Sequence, residues 1–206
     1  ITSYRISVNP QTMNNNVLRI IGRNHTAEDT VRAFLSAREE GFDNINMDLI
    51  AGLPSDTAES YHQTLDRIID LNPESITVHT LTIKRSAKIY EDDIEKYLTA
   101  PASEMVSESI RTLPENGYLP YYLYRQKNTV ENLENIGFAK KGRESLYNIF
   151  IMDETQTILG AGCAASTKIV QPNGKITRIH NYKFPYEYIN RFDDLIRKKQ
   201  IIYELI

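Results

Sequence analysis

The sequence lacks several features that define whole classes of protein. It contains one cysteine, Cys163, which excludes an internal disulfide framework and fits a reducing compartment. No apolar run approaches the roughly 18 residues that a membrane span requires, and no secretory signal peptide is visible. The formal net charge of −3 lacks the basic excess of proteins that bind nucleic acid non-specifically. We therefore expect a cytoplasmic protein with no membrane span and no nucleic-acid partner.

Length and composition are instead typical of a globular protein. At 206 residues, with 41% apolar and 25% charged side chains, the chain can bury a good core as one domain, or as one domain and a piece of another. It begins at Ile1 without a methionine, almost directly in a predicted strand. We expect it to be part of a longer protein.

The stretch 45–54 organises the prediction, because its side chains alternate as a strand with one apolar and one polar face would require. The apolar face carries Ile45, Met47 and Leu49, and the other face carries Asn46, Asp48 and Ile50. Gly52 and Pro54 are expected to end the strand, and Asp56 to cap the following helix with Glu59 as its capping-box partner. A carboxylate near the end of a strand that leads into a helix is how (β/α) barrels hold ligands.

The same unit recurs on both sides of this strand. Strands are predicted at residues 4–11 and 75–82, the first stopping at Pro10, which has no N–H for a sheet ladder. Helices are predicted at 15–21, at 57–71, and from Thr26 to Gly41 with Asp29 in the capping box. This spacing indicates right-handed parallel crossovers. All three strands place polar side chains on one side, which favours a polar, ligand-holding cavity over a barrel core filled with Val, Ile and Leu.

The pattern changes after residue 82. Residues 84–100 are predicted to form a loop with a short helix at 94–98, and 103–116 a helix. Short strands are expected at 121–125, 145–152, 155–159, 165–170 and 175–180, followed by an amphipathic helix at 185–199. The predicted fold class is α/β: residues 1–117 form part of a (β/α) barrel with three parallel strands, and residues 118–206 form a small α+β extension with antiparallel strands and a final helix.

Asp48 is the main candidate for binding a ligand. A carboxylate facing a barrel interior either anchors a ligand, for example through ribose hydroxyls, or pairs with a structural arginine. Gln11, at the equivalent height on the neighbouring strand, can both donate and accept hydrogen bonds. Arg23 lies just past Gly22 on the loop above that strand, where a guanidinium suits a carboxylate, although exposed arginines are common.

Other segments carry weaker signals. His79 faces the predicted interior, and the four histidines show no metal-binding spacing, so no metal site is predicted. Residues 160–165 loosely match a dinucleotide-binding fingerprint, but a strand follows, so we expect this segment to bring backbone close to a ligand or another strand. Residues 121–127 offer tyrosines and cations either to a flat anionic substrate or to a core strand. Cys163 is expected to be a buried filler.

With these residues in place, the sequence resembles the oxygen-independent coproporphyrinogen III oxidases of the radical S-adenosylmethionine family, most strongly their coproporphyrinogen dehydrogenase branch. The motifs that carry the resemblance are Arg5-Ile-Ser-Val-Asn-Pro-Gln11, Gly22-Arg23-Asn-His25, Gly41-Phe-Asp-Asn-Ile-Asn-Met-Asp48-Leu-Ile-Ala-Gly52-Leu-Pro54 and Tyr121-Tyr-Leu-Tyr-Arg-Gln-Lys-Asn128. The last of these, with Asn148-Ile149 and Gly160-Ala-Gly162, favours the branch. Together they cover most of residues 4–168.

The resemblance implies a partial (β/α) barrel of the radical S-adenosylmethionine type and a specific chemistry. By position, Gln11, Arg23 and Asp48 match residues that contact S-adenosylmethionine, and Thr82 matches a weaker contact; catalytic residues are not identified. In the family, a reduced 4Fe–4S cluster splits S-adenosylmethionine into methionine and a 5′-deoxyadenosyl radical. That radical takes a hydrogen from a propionate of coproporphyrinogen III, which loses carbon dioxide and becomes a vinyl group. The implied partners are this porphyrinogen substrate and an electron donor protein.

The sequence also departs from the family. The cluster is held by three cysteines in a C-x-x-x-C-x-x-C motif that this chain lacks, as it lacks the glycine-rich motif that follows, and both are expected upstream of residue 1. We therefore expect these 206 residues to be a C-terminal part that binds no cluster and is inactive by itself, and that self-associates through exposed strand edges. Ala164 stands where relatives often have glycine. An alternative function is haem binding or delivery on the same scaffold, as is thought for related members.

Overall fold

The strands predicted around Asp48 form one open sheet in the computed structural model, which describes residues 5–82, 101–125, 127 and 129–205. The elements up to residue 144 are β1 (Ile6–Gln11), α1 (Asn15–Ile20), α2 (Ala27–Glu39), β2 (Ile45–Ala51), α3 (Ala58–Leu71), β3 (Ser75–Thr80), α4 (Ala102–Glu115), β4 (Leu119–Tyr124) and β5 (Asn135–Ala139). The predicted loop at 84–100, with its helix at 94–98, lies outside the described residues.

The strand order of this sheet is β1-β2-β3-β5-β4. β1 pairs with β2 and β2 with β3 in parallel, which confirms the predicted crossovers. β5 then joins β3 in antiparallel orientation, and β4 pairs antiparallel with β5. The described strands leave the sheet open rather than closed into a barrel, which agrees with the predicted partial barrel.

The two faces of the sheet differ as the alternation in β2 predicts. Ile45, Met47 and Leu49 are fully buried in a core that also contains residues of β3, α2, α3 and α4. The members of that core from these four elements include Ile76, Val78, Phe34, Tyr61, Leu65, Ile68, Met105 and Leu113. The helices therefore cover one face, and the polar side chains of β2 lie on the other.

The helix starts are set by local hydrogen bonds, one of which differs from the prediction. The capping box of α2 is present: the amide of Asp29 donates to the Thr26 hydroxyl, and the Asp29 carboxylate accepts from the Thr26 amide at 2.8 Å. For α3 the predicted cap, Asp56, is wrong. Thr57 is the N-cap, and its hydroxyl accepts a hydrogen bond from the amide of Ser60. The carboxylate of Asp56, the residue before the cap, accepts from the amide of Thr57.

β1 continues through Pro10 instead of stopping there. Its register against β2 shifts between Val8 and Gln11, and Gln11 adopts a positive φ of 67°. β1 is an edge strand of the described sheet, and such a bulge on an edge strand accommodates a residue that cannot donate to the ladder. The bulge turns the end of β1 at the position of Gln11.

A second unit comprises residues 145–206. It contains α5 (Leu146–Asp153), β6 (Ser166–Val170), β7 (Ile176–His180), α6 (Pro185–Asn190), α7 (Phe192–Lys199) and α8 (Ile202–Leu205). β6 and β7 form an antiparallel pair, as predicted. The sequence placed a domain boundary after Gly117, whereas the contacts of the structure divide the chain between Glu144 and Ser145, because β4 and β5 join the sheet of the first unit.

Three secondary-structure predictions for the second unit are wrong. Residues 145–152 form the helix α5, which Ser145 caps, rather than a strand. Residues 155–159 form no strand and contribute one bridge, between Ile158 and Lys168. The predicted helix at 185–199 is divided into α6 and α7 at Arg191, whose backbone leaves helical geometry.

The glycine-containing segment 160–165 brings backbone close to a strand, one of the two outcomes expected of it. A Cβ on Gly160 would lie 2.6 Å from the carbonyl oxygen of Ser166. Ala164 adopts a left-handed φ of 60°, a conformation that costs an alanine roughly 1–2 kcal/mol and a glycine far less. Cys163 is exposed, so its prediction as a buried filler is wrong. The side-chain amide of Asn181 donates to the carbonyl oxygens of Gly160 and Gly162 in the same segment.

No helix in the described part of the chain combines the length and the apolar character needed to cross a membrane.

The packing of α3 against α4 includes a buried polar contact. The hydroxyls of Tyr61 and Ser109 lie 2.8 Å apart, and the Ser109 hydroxyl also donates to the carbonyl oxygen of Met105. Burial of Tyr61 raises the pKa of its phenol well above the ordinary value, so this side chain is a neutral hydrogen-bonding group.

Replacing Tyr61 with phenylalanine is expected to lower the free energy of unfolding by about 1 kcal/mol, because one buried hydrogen bond is lost while the ring stays packed. Tyr61→Ala removes the ring as well and is expected to cost about 3–5 kcal/mol. Urea unfolding followed by circular dichroism measures both, with the exposed Tyr203→Phe as the matched control. Equal losses for Tyr61→Phe and Tyr61→Ala would contradict the assigned packing role of the ring.

Candidate functional site

The polar face of the sheet carries a hydrogen-bonded network centred on Asp48. The side-chain amide of Asn46 donates to Oδ1 of Asp48 at 2.6 Å, and also lies 3.3 Å from the hydroxyl of Ser7 on β1. The hydroxyl of Thr77 on β3 donates to the side-chain oxygen Oδ1 of Asn46 at 3.0 Å. Asn46 and Thr77 are each 3% exposed, whereas the side chain of Asp48 is 20% exposed. Two buried neutral groups thus orient a carboxylate that solvent, or a ligand, can reach.

His79 extends this network toward β4. Its Nε2 lies 3.8 Å from Oδ1 of Asp48, and its Nδ1 lies 3.4 Å from the hydroxyl of Tyr124. The rings of His79 and Tyr124 meet edge to face with centroids 6.4 Å apart. The predicted inward orientation of His79 is therefore confirmed, and the carboxylate that pairs with it among the described residues is Asp48.

These contacts fix the charge of Asp48. Burial raises the pKa of the carboxyl, but the contact with His79 and the hydrogen bonds from Asn46 and Thr77 outweigh burial and hold the pKa below its ordinary value. Asp48 is therefore ionised at neutral pH. A fixed, ionised carboxylate of this kind accepts hydrogen bonds from a ligand hydroxyl or ammonium group.

Tyr122 lies at the same level of the sheet as Asp48. The register pairs Asp48 with Thr77, Thr77 with Gly137, and Gly137 with Tyr122 across four strands. A Cβ on Gly137 would lie 1.8 Å from the Tyr122 ring, so the ring occupies the space that a side chain on β5 would otherwise fill. Burial raises the pKa of Tyr122 to about 12, and the phenol is neutral. The Tyr122 and Tyr124 rings are nearly parallel, with centroids 6.0 Å apart.

Gln11 lies at the end of β1, on the strand next to Asp48. Its register partner is Leu49, the residue that follows Asp48. The side chain is largely buried, and its amide donates to the carbonyl oxygen of Asn9 at 3.3 Å. Gln11 and Asp48 are thus brought to neighbouring positions, with no hydrogen bond between their side chains among the described contacts.

Arg23 lies in the segment between α1 and α2 and is exposed. Its amide donates to the carbonyl oxygen of Leu18, and its guanidinium makes no hydrogen bond or ion pair with the described residues. Two residues later, Nε2 of His25 lies 3.2 Å from the carbonyl oxygen of Pro10. This contact attaches the segment that carries Arg23 to the end of β1, beside Gln11.

Residues 4–68 match the model of the radical SAM superfamily. Over 199 residues the chain is 45% identical to the oxygen-independent coproporphyrinogen-III oxidase-like protein HemZ of Bacillus subtilis, an alignment that covers 95% of this chain and 40% of HemZ.

Over residues 4–68, the chain is similar to the radical SAM superfamily.

Two further relatives have different descriptions. The chain is 28% identical over 204 residues to the heme chaperone HemW of Haemophilus influenzae, covering 96% of this chain and 48% of HemW. Among solved structures, coproporphyrinogen III oxidase (HemN) from Escherichia coli, described as a radical SAM enzyme, matches with a TM-score of 0.61 at 23% identity. That match covers 93% of this chain and 43% of HemN, and it concerns the fold alone. The chain thus spans less than half the length of each of these relatives.

The superfamily match confirms the resemblance seen in the sequence, and the likeness to HemN confirms the predicted α/β partial barrel. The comparisons do not test the assignments of Gln11, Arg23 and Asp48, which stay predictions.

Neither the strand β5 nor the close approach of another side chain to Gly137 within it was predicted from the sequence. The run from Asn135 to Ala139 is fully buried and apolar at its centre, which is typical of a buried strand. A glycine inside such a run signals close approach of another group, and this signal could have been used. The contact with Tyr122, in contrast, depends on a strand pairing that the sequence does not reveal.

A concave surface lies on the helical side of the first unit. A groove of about 540 Å³ is lined by Ala58, Glu59, His62, Glu104, Ser107, Glu108 and Arg111. Nδ1 of His62 lies 2.6 Å from Glu108, and this hydrogen bond raises the pKa of the imidazole. Among the described residues, no group of three or more His, Cys, Asp or Glu side chains is arranged to hold a metal ion.

Gly137→Ala is expected to lower the free energy of unfolding by about 1–3 kcal/mol, because the added methyl group would overlap the Tyr122 ring. In a Tyr122→Ala background the same substitution should cost much less, since the ring that it meets is gone. Chemical unfolding of the two single variants and the double variant measures this coupling. Additive losses would contradict the placement of the Tyr122 ring over Gly137.

Proposed function

We propose that the natural-length protein containing this chain catalyses the oxygen-independent oxidative decarboxylation of coproporphyrinogen III to protoporphyrinogen IX by radical S-adenosylmethionine chemistry. The observation that carries the proposal is the 45% identity, over nearly the whole chain, to a protein described as oxygen-independent coproporphyrinogen-III oxidase-like. The polar, partly open face around Asp48 supports it, because this chemistry needs a cofactor pocket on the inner side of the barrel.

The residues of this face fit S-adenosylmethionine. In the proposal, the ionised carboxylate of Asp48 accepts hydrogen bonds from the ribose hydroxyls. Gln11, at the end of the neighbouring strand, donates and accepts hydrogen bonds on the same ligand, and Arg23 pairs with the methionyl carboxylate. When S-adenosylmethionine and a reduced 4Fe–4S cluster are bound, they supply the 5′-deoxyadenosyl radical that takes hydrogen from the substrate propionate.

The residues of this chain do not fit the 4Fe–4S cluster by themselves. Such a cluster is held by several cysteine thiolates, and the chain contains one cysteine. The proposal therefore places the cluster ligands in the part of the natural-length protein outside these 206 residues. In the proposal, the present chain binds and orients the cofactor and limits its contact with water.

Asp48→Asn in the natural-length protein is expected to weaken binding of S-adenosylmethionine about 10- to 100-fold, because charge-assisted hydrogen bonds worth about 1.5–3 kcal/mol are lost. Equilibrium dialysis under anaerobic conditions measures the dissociation constant. Asp66→Asn, on the exposed surface of α3, is the matched control and should leave it unchanged. Unchanged binding in Asp48→Asn would contradict the proposed contact.

The same contact predicts the pH dependence of binding. Since the pKa of Asp48 in the folded protein lies below its ordinary value, the carboxylate is charged throughout the neutral range and its contribution is lost only as the pH falls through that lowered pKa. The ratio of dissociation constants for Asp48→Asn and the unsubstituted protein should therefore be constant between about pH 6 and pH 8. A ratio that falls toward 1 across this interval would contradict an ionised Asp48.

A second candidate function is haem binding or delivery on the same scaffold. It is favoured by the similarity to HemW of Haemophilus influenzae, described as a heme chaperone, which extends over 96% of this chain. Both candidates use the same fold, and fold alone does not decide between them.

Turnover and haem binding distinguish the two candidates. The anaerobically reconstituted natural-length protein, given coproporphyrinogen III, S-adenosylmethionine and a strong reductant, should yield vinyl-bearing product. A haem titration followed by absorption runs in parallel. Tight haem binding without decarboxylation would establish the second candidate, whereas deoxyadenosine formation without decarboxylation would exclude the proposed substrate and leave the superfamily chemistry intact.

The proposal also includes an electron donor protein, which must reduce the cluster, and a cytoplasmic location. Self-association of the isolated 206-residue chain stays a prediction based on strand edges: β1 and β4 are the outer strands of the described sheet.

A further inference from the structure

The ring of His79 lies between two polar groups that come from different strands. On one side, Nε2 is 3.8 Å from the carboxylate of Asp48 on β2. On the other, Nδ1 is 3.4 Å from the hydroxyl of Tyr124 on β4, which reaches His79 across the intervening strand β5. The side chain of His79 is 29% exposed and lies on the same face of the sheet as Asp48.

The chemistry of the three groups selects one tautomer of the imidazole. The phenol of Tyr124 carries a proton and can donate it in a hydrogen bond to a ring nitrogen that has a lone pair. If Nδ1 accepts from Tyr124, the neutral ring must carry its hydrogen on Nε2, which is the nitrogen that faces the Asp48 carboxylate. The opposite tautomer would place two lone pairs, on Nε2 and on the carboxylate, against each other.

We propose that His79 is a positioning residue: Tyr124 fixes its Nε2–H tautomer, and that N–H fixes the orientation of the Asp48 carboxylate for ligand binding. The proposal rests on the proposed contact between Asp48 and S-adenosylmethionine. His79 touches Asp48 rather than the ligand, and so acts through Asp48.

The surroundings of Asp48 explain why the contact with His79 matters. Asn46 holds the carboxylate from its own strand, along the direction of β2, while His79 approaches from β3 at the side. Contacts from two directions restrict rotation of the carboxylate, whereas one contact leaves that rotation open. An orienting neighbour of this kind affects the affinity for a ligand without touching it.

Binding of S-adenosylmethionine to the natural-length protein, measured by equilibrium dialysis, tests the inference. His79→Leu is expected to raise the dissociation constant about three- to tenfold, because the Asp48 carboxylate loses its polar contact with the imidazole. His79→Gln, whose amide can donate to Asp48, should stay within about twofold of the unsubstituted protein. His62→Leu removes a histidine that also pairs with a carboxylate, but on the helical side of the sheet, and should change nothing.

A double-mutant cycle separates positioning from general support of the fold. If His79 acts through Asp48, His79→Leu should have no further effect on the dissociation constant in an Asp48→Asn background. The same threefold to tenfold loss in both backgrounds would overturn the proposal, because it would show that His79 acts independently of Asp48.

Nitrogen NMR of 15N-histidine-labelled protein reports the tautomer without any ligand. The signal absent from His79→Gln identifies His79, and the proposal requires its Nε2–H form; Tyr124→Phe should shift the population toward the other form. A predominant Nδ1–H form in the unsubstituted protein would overturn the proposal.

The readouts also separate failure of this inference from failure of the proposed function. If the unsubstituted protein binds no S-adenosylmethionine, the proposed function fails. The contact between His79 and Asp48 is then tested by carbon NMR, in which His79→Leu should raise the pH midpoint at which the carboxyl group of Asp48 titrates. If S-adenosylmethionine binds and His79→Leu leaves affinity unchanged, the proposed function stands and the positioning role of His79 is excluded.

Discussion

The alternation of side chains along β2 is the constraint on which the sheet and the candidate site depend. Ile45, Met47 and Leu49 must leave water, and the helices of the first unit bury them fully. Because successive strand residues point to opposite faces, the burial of these three side chains by itself determines that Asn46 and Asp48 lie on the other face. A shift of one residue in register would bury the carboxylate in the apolar core, at a cost that no described neighbour there could offset.

This constraint is local, and for that reason much of the first unit could be predicted. Parallel β1, β2 and β3, the capping box at Thr26 and the inward face of His79 all follow from short-range patterns. The neighbouring positions of Gln11 and Asp48 follow from the same crossovers, although the bulge that turns the end of β1 does not. Patterns within ten residues therefore predict which groups face the site.

The failures have physical causes that lie beyond such patterns. Residues 145–152 are almost wholly apolar, and a short apolar run has no period that separates a helix from a strand; the cap at Ser145 favours the helix. The burial of a lone cysteine cannot be deduced from small neighbours, and Cys163 lies at the surface. The fit of Tyr122 over Gly137 depends on antiparallel pairing between β4 and β5, which brings together residues whose sequence context gives no sign of contact.

The sequence left two roles open for Asp48, a ligand anchor or the partner of a structural arginine, and the network around it favours the first. A bidentate arginine would occupy both carboxylate oxygens and cancel the charge. The described partners of Asp48 are instead an amide, a hydroxyl-bearing neighbour and an imidazole. Such groups stabilise the ionised form enough to offset partial burial, yet they leave a net negative charge on an accessible face. A carboxylate that is kept ionised and uncancelled in this way is available to a ligand that reaches this face.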